Sequence, residues 1–367
     1  MIIINKDEVF SKLNEYAKNV KTEIPDRLDE NIPEWNQGRY YSNNDQTLVL
    51  HKEIIDFASY FSLTEKEIYL RKLVILRFQN IVSSIWPGAI VICFGSFSQG
   101  TSLSDGDLDL TIQNIPKDRD NISLLFELHD RMEKVNFFSK SRVLTTSFVP
   151  IIKCVESPFQ IKLDISLNNN VSIIKNVRFK NEVDKYPSLL PISLFIKYFI
   201  DYKKLNFPYH GGINNFMLGI MILNVIQSVP EKDQFNCGLI LLRFLDIYSN
   251  KFNYFTVGIT SRNGGSLFNR IAEKDINWSS PFSMTIEDNF NPGFYLGQRS
   301  NRILEIREIF KSAYNQLMLD IDSKQKILLA GIITINQNIQ EKRQKSISLY
   351  DELIMNVQDS SQPLKNK

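Results

Sequence analysis

The chain has 367 residues, 43% of them hydrophobic and 23% charged, with a net charge of +2. That length leaves room for two ordinary domains, and this apolar-to-charged balance excludes a disordered chain. A protein that grips nucleic acid mainly through its own backbone contacts is more often strongly basic, so any RNA affinity is expected to be modest or partly supplied by a partner. The three cysteines (Cys93, Cys154, Cys237) and three histidines (His51, His129, His210) lie far apart. They offer no zinc-ligand spacing and suggest no disulfide framework, which fits a reducing, intracellular compartment. The opening Met1 to Glu8 is too soon charged for a secretory signal, and the most apolar helical stretch, Phe216 to Ile226, is too short to span a bilayer. The expectation is a chain neither secreted nor membrane-spanning.

In chain order, the first forty residues are polar and mixed, and residues 1–45 are expected to form a partly ordered segment. An amphipathic pattern runs from Gln46 to Phe61. Thr64-Glu65-Lys66-Glu67 is a capping box, with Leu63 and Ile68 placed as a hydrophobic staple. It opens a helix predicted to reach about Ile85, stopped by Pro87 and Gly88. Residues 89–166 alternate short strands with one helix, Asn121 to Val135. After Asn176 the pattern turns helical: Pro191 to Tyr202 and Asn214 to Val229, separated by the break Phe207-Pro208-Tyr209-His210-Gly211-Gly212. Further helices are predicted at Gly238 to Tyr248, Asn301 to Leu319 and Lys324 to about Lys345, with a frayed tail beyond Asp359. The reading is an α+β protein: an α/β module over 64–175, a helical one over 46–63 and 176–350, a tail over 351–367, and the active cleft between the modules.

Residues 94–109 carry the chemistry. Gly95-Ser96 leads through a turn-rich loop to Asp107 and Asp109. Strand residues two apart project from one face, so both carboxylates can aim at one point and hold hard cations against a triphosphate. Gly95 lets the backbone approach phosphate oxygens, and the Ser96 hydroxyl can donate to them. A surface Asp-x-Asp is ordinarily a solvated turn, but here apolar runs, Ala89 to Phe94 and Leu108 to Ile112, flank it. A third carboxylate, Asp164, sits in Ile161-Lys162-Leu163-Asp164-Ile165-Ser166, where Ile161, Leu163 and Ile165 alternate with the polar residues. It is either the group that helps deprotonate an attacking hydroxyl or an exposed charge on an edge strand.

Several segments together resemble the polymerase β-type nucleotidyltransferases, specifically a Trf-type noncanonical poly(A) polymerase. They are Leu50 to Phe57, Trp86-Pro87, Phe94 to Ser98 before the Asp-x-Asp pair, Val149 to Lys153 before Leu163 to Ser166, Leu205-Asn206, Gly211-Gly212, Phe252-Asn253-Tyr254 and Ile286-Glu287-Asp288. The resemblance implies a polymerase β-like nucleotidyltransferase module, a mixed sheet with helices, packed against a mainly helical PAP-associated central domain. It further implies Asp107, Asp109 and Asp164 as ligands of Mg2+ or Mn2+, with ATP as substrate. Lys197 matches the family's triphosphate-contacting lysine; residue types alone make it a solvated helix face. Asn215 and Phe216 match a Ser-Tyr pair that contacts phosphate and stacks on the base, although an aromatic there is also an ordinary core residue. Ser172 stands where relatives carry Gly near the nucleotide, and Asp288 opens the loop that reads the base.

Three departures stand out. Gly106 replaces a Ser before the aspartates, Phe216 replaces Tyr, and Phe294-Tyr295 stands where adenylating relatives carry Asn-Asp and uridylating ones a His. The leading expectation is a template-independent enzyme adding AMP from ATP to RNA 3′ ends. The alternatives are a terminal uridylyltransferase of Cid type and a catalytically inert scaffold of an RNA-surveillance assembly. By resemblance, RNA contacts would be shared with a zinc-knuckle protein and a helicase in a TRAMP-like complex feeding the nuclear exosome.

Overall fold

The computed structural model describes residues 4–25, 32–146, 149–205, 211–260, 265–273, 281–288, 293–298, 300–335 and 337–360. Its chain divides into two compact units: residues 62–177 with a C-terminal helix, and residues 5–61 with 178–335. Each is described by itself.

The N-terminus is more ordered than its polarity suggests. Helix α1 spans Lys6–Tyr16, N-capped by Asn5, whose side chain accepts from the Glu8 N–H. Its Val9, Phe10 and Leu13 are buried, a one-sided stripe too short to read as a helix without a partner. Strands β1 (Lys21–Glu23) and β2 (Tyr40–Ser42) then pair antiparallel. Helix α2, Gln46–Phe61, follows the predicted amphipathic stretch and packs against α1.

The sheet unit begins with α3, Glu65–Ile85, opened by a complete capping box between Thr64 and Glu67. Leu70, Val74, Phe78 and Val82 recur every fourth residue and are buried, so one face seats on the sheet. Strand β3 (Ile90–Phe94) ends in a single helical turn, α4 (Gly95–Ser98); then come β4 (Leu108–Gln113), α5 (Asn121–Lys134), β5 (Phe138–Leu144), β6 (Ile151–Glu156) and β7 (Lys162–Leu167). The five strands are ordered β3-β4-β7-β6-β5, antiparallel except for the parallel β4–β7 pair. β7 is therefore a central strand, which removes the edge-strand reading of Asp164. On the covered face Leu108, Leu110, Ile112, Leu163 and Ile165 are fully buried.

Helix α6 (Asn170–Lys185) carries the chain into the helical unit, where α7 (Leu189–Tyr202), α8 (Asn215–Ser228) and α9 (Cys237–Asp246) follow. α9 runs on into a π-helical turn, Ile247–Lys251. A small sheet in the order β11-β10-β8-β9 is built from β8 (Val257–Thr260), β9 (Ser266–Asn269), β10 (Thr285–Glu287) and β11 (Tyr295–Leu296). Helix α10 covers Ile303–Asp322. In place of the helix expected from Lys324, the chain makes a 3-10 turn at Leu329–Gly331, then α11 over Gln337–Ser360. Buried Glu53 explains the break: its carboxylate accepts the N–H groups of Leu328 and Leu329 at 2.8–3.1 Å, pinning an irregular segment. Residues 337–350, read with the helical module, belong instead to the sheet unit, where α11 packs on α3 and Lys66 pairs with Asp351 at 2.7 Å. Among the described residues no helix is long and apolar enough to cross a membrane.

Candidate active site

The sheet register brings the acidic residues together. Asp109 on β4 lies directly opposite Asp164 on β7, although 55 positions separate them in sequence. Asp107, one residue before β4, has the parity of Asp109 and projects from the same face. Lys153 on β6 lies opposite Asp164, and Arg142 on β5 lies opposite Lys153. One row across the sheet therefore reads Arg142, Lys153, Asp164, Asp109, ending at Phe94 on β3.

Gly95 follows Phe94 at φ +68°, a left-handed conformation that a side chain disfavours. A Cβ there would fall 2.0 Å from Asp109 Oδ2. The glycine is thus needed to seat the Asp109 carboxylate, a role beyond the phosphate approach expected of it. The α4 turn is tied down by Gln99 N–H to Gly95 O at 3.0 Å, Thr101 N–H to Ser96 O at 2.9 Å, and Asn176 Nδ2 to Ser98 Oγ at 2.8 Å. Gly106 leaves room behind the aspartates: a Cβ would fall 2.5 Å from Ser102 Oγ.

Two lysines to which the sequence analysis assigned no role sit on these carboxylates. Lys153 pairs with Asp164, and Lys162 Nζ lies 3.8 Å from Asp107 Oδ1. Burial pushes the Asp164 carboxyl above its ordinary range and the neighbouring Asp107 charge pushes the same way, while Lys153 pulls it back. The alternation Lys162-x-Asp164 was the available signal for Lys162; Lys153 needed the register. Cys93 and Cys154 are buried in their strands as expected, and burial pushes the Cys154 thiol up to about 12, leaving it inert. Among the described residues, three metal-type ligand atoms come within 4.8 Å of one another only at His129, Asp130 and Glu133 on α5, a partly exposed face where His129 also meets Ser141 at 2.8 Å. The three aspartates do not meet that spacing; Asp164 pairs with Lys153, and Lys162 lies near Asp107.

The other predicted residues divide between the units. Ser172 is in the first turn of α6 and belongs to the sheet unit; its N–H donates to Asn169 Oδ1 at 3.2 Å. Lys197, Asn215, Phe216 and Asp288 belong to the helical unit. Lys197 is half-buried in α7, and Asn215 and Phe216 open α8 behind the N-cap Asn214. Asp288 is buried just past β10, and its N–H donates to Phe294 O at 2.8 Å. Phe294 is exposed, while the Tyr295 hydroxyl donates to Glu273 at 3.1 Å and its ring packs on Phe268. Asn206, residues 207–210 of the predicted break and residues 289–292 of the base-reading loop lie outside the described residues.

With this geometry established, comparison with known proteins gives consistent matches. The family model for the central palm domain of mitochondrial-like poly(A) RNA polymerase covers residues 50–177, and that of the Cid1 family poly A polymerases covers 236–293. Poly(A) RNA polymerase cid14 of Schizosaccharomyces pombe is 25% identical over 88% of this chain and 50% of its own length. Poly(A) RNA polymerase protein 2 of Saccharomyces cerevisiae is 26% identical over 72% of this chain and 47% of its own. The chain thus spans about half the length of these relatives. The inactive noncanonical poly(A) RNA polymerase protein Trf4-2 of Drosophila melanogaster is 29% identical over 79% of this chain and 74% of its own. Among solved structures, the polymerase core of TRAMP, an RNA surveillance complex, superposes with TM-score 0.68 at 24% identity, covering 78% of this chain and 90% of that one. The Cid1 poly(U) polymerase does so with TM-score 0.67 at 18% identity, covering 80% and 100%. These likenesses confirm the expected α+β, polymerase-type fold. The chain is thus similar, over both matched segments and in fold, to the Trf-type noncanonical poly(A) RNA polymerases.

Proposed function

We propose that this protein is a template-independent RNA nucleotidyltransferase that adds AMP from ATP to RNA 3′ ends. The observation that carries the reading is the in-register pairing of Asp109 with Asp164, with Asp107 on the same face and Gly95 making room beside them. On this reading the sheet unit is the nucleotidyltransferase domain and the helical unit the PAP-associated central domain.

Three carboxylates on one face are a hard-oxygen donor set and would hold Mg2+ or Mn2+, which supplies charge neutralisation at the transferring phosphoryl group. Asp164, raised by burial, accepts the proton of the RNA 3′-hydroxyl as it attacks the α-phosphorus in line and pyrophosphate leaves. By resemblance, Gly95 and Ser96 would hold the triphosphate, and Lys197 would be its cationic contact. Ser172 and Asn215 contribute polar contacts to the nucleotide, Phe216 a stacking face for the base, and Asp288 the acceptor at the base edge.

The names of the curated relatives favour ATP over UTP. The uridylyl reading rests on Phe294-Tyr295, which keeps neither family's base-reading residue. The inert-scaffold reading draws on the Drosophila relative named inactive, and the three retained aspartates oppose it. One assay separates the three: purified protein, a labelled oligonucleotide, Mg2+ and each NTP separately. Extension with ATP, lost in Asp107→Ala and in Asp164→Ala, is expected. Preference for UTP overturns the adenylyl assignment, and no extension with any NTP by the folded protein favours the scaffold. A zinc-knuckle RNA-binding protein, a helicase and a nuclear location complete the proposal. Tight RNA binding by the isolated chain, with neither protein recovered in a pulldown, would count against those partners.

A further inference from the structure

Among the described residues of the sheet unit, Lys162 lines two hollows. The first contains Asp107 and Asp164. The second is walled by α3, the loop before Asp107, the turn before β7, and α11; its charged lining is Arg71, Lys162, Lys342 and Lys345 against the single carboxylate Asp105. Four cations facing one anion make this a site for negative charge.

The second hollow is built rather than incidental. Arg71 is only 2% exposed, and its guanidinium is locked by Nη2 to Ser104 O at 2.8 Å and Nη1 to Glu67 O at 3.4 Å. Glu67, buried behind it, is not part of the wall and is shared with Arg343 at 3.5 Å. Lys342 Nζ reaches Asp105 Oδ2 at 3.3 Å, so the wall is held by the residue two before Asp107.

We infer that this hollow takes one phosphodiester of the acceptor RNA, upstream of its 3′ end. The inference rests on the proposed function and adds to it a fixed register between strand and carboxylates. An acceptor whose 3′-hydroxyl reaches Asp164 must lay its preceding phosphates beside that site. Here the adjoining surface, across one lysine side chain, is a cationic hollow of the right sign. A triphosphate held at Gly95 and Ser96 leaves that surface to the strand.

The test uses the full chain and a fluorescent single-stranded RNA, titrated across a range of salt. A series of oligonucleotides each carries one neutral methylphosphonate linkage. Arg71→Gln removes a buried, doubly bonded group and endangers folding, so the working variant is Lys342→Gln/Lys345→Gln on α11, its fold checked by circular dichroism and melting. In the unaltered protein, neutralising one particular linkage is expected to weaken binding about 5–10-fold, with its neighbours nearly silent. The double variant should bind about 5–10-fold more weakly, lose about one unit of salt slope, and no longer distinguish that linkage. A neutral linkage that costs both proteins equally, or a variant that binds like the parent, overturns the inference. So does pyrophosphate binding that is lost in the variant while the RNA titrations coincide, because the hollow then takes a free anion. Nucleotide incorporation is followed separately: its absence in the unaltered protein sinks the enzymatic reading and leaves the binding test standing.

Discussion

Gly95→Ala tests whether the turn at the end of β3 seats a catalytic carboxylate. The substitution leaves all three aspartates in the chain. Its first cost is conformational: a left-handed φ of +68° costs an L-residue roughly 1–2 kcal/mol. Its second is steric, since the new methyl would lie 2.0 Å from Asp109 Oδ2 and 2.7 Å from Asp109 Cγ. That is roughly 1 Å or more inside van der Waals contact, so the carboxylate must swing away. A misplacement of about 1 Å in a reacting constellation costs on the order of 100-fold in rate. Stability should fall only modestly, by a few degrees in Tm. The assay is single-turnover addition of one AMP to a labelled oligonucleotide at saturating ATP, beside a thermal melt. If Gly95→Ala stays within about 5-fold of the parent rate, Asp109 either is not displaced or does not matter, and the site assignment fails.

Removing the cation beside Asp164 should move the acid limb of the proposed activity. Lys153 pulls the Asp164 carboxyl down against burial, so Lys153→Ala raises it further, and the acid limb of the pH–rate profile, where the rate rises with pH, shifts to higher pH; an unmoved limb refutes the role given to Asp164. His51 gives a stability signature. It is buried and bridges helices, with Nδ1 accepting the Cys237 N–H at 3.0 Å and Nε2 meeting Leu13 O at 2.9 Å, and burial pushes its pKa from 6.5 to about 4. A folded-state value below the unfolded one contributes stability that is present above pH 6.5 and is lost as pH falls towards 4. That amounts to on the order of 3 kcal/mol. Urea midpoints across that window should slope in the parent and flatten in His51→Gln; parallel curves refute it. Gly238→Ala tests the α2–α9 contact, where a Cβ would fall 2.1 Å from Thr47 O. Although alanine favours helices by about 1 kcal/mol, the variant should lose about 2 kcal/mol or more in denaturant unfolding.

Local signals were legible wherever the chain itself supplies the physics. The Thr64 capping box and the Pro87-Gly88 stop bounded α3, and the Gln46–Phe61 periodicity bounded α2, because both depend on neighbours within a turn or two. The shared face of Asp107 and Asp109 follows from strand geometry alone. By contrast, α1 was unreadable: its apolar stripe acquires meaning only against α2. The segment after Lys324 has helical composition, yet buried Glu53, far away in sequence, claims its backbone N–H groups.

What the amino-acid sequence determined by itself was the family resemblance, the fold class and which acidic residues are candidates, since short motifs encode local geometry and chemical type. What only the tertiary structure decided was their company. Asp164 lies beside Asp109 because β4 and β7 pair in parallel, and Lys153 lies on Asp164 because β6 pairs next to β7. The cationic hollow exists because α11 returns to α3. Strand register and helix docking are set by long-range packing, and no window along the chain contains both partners.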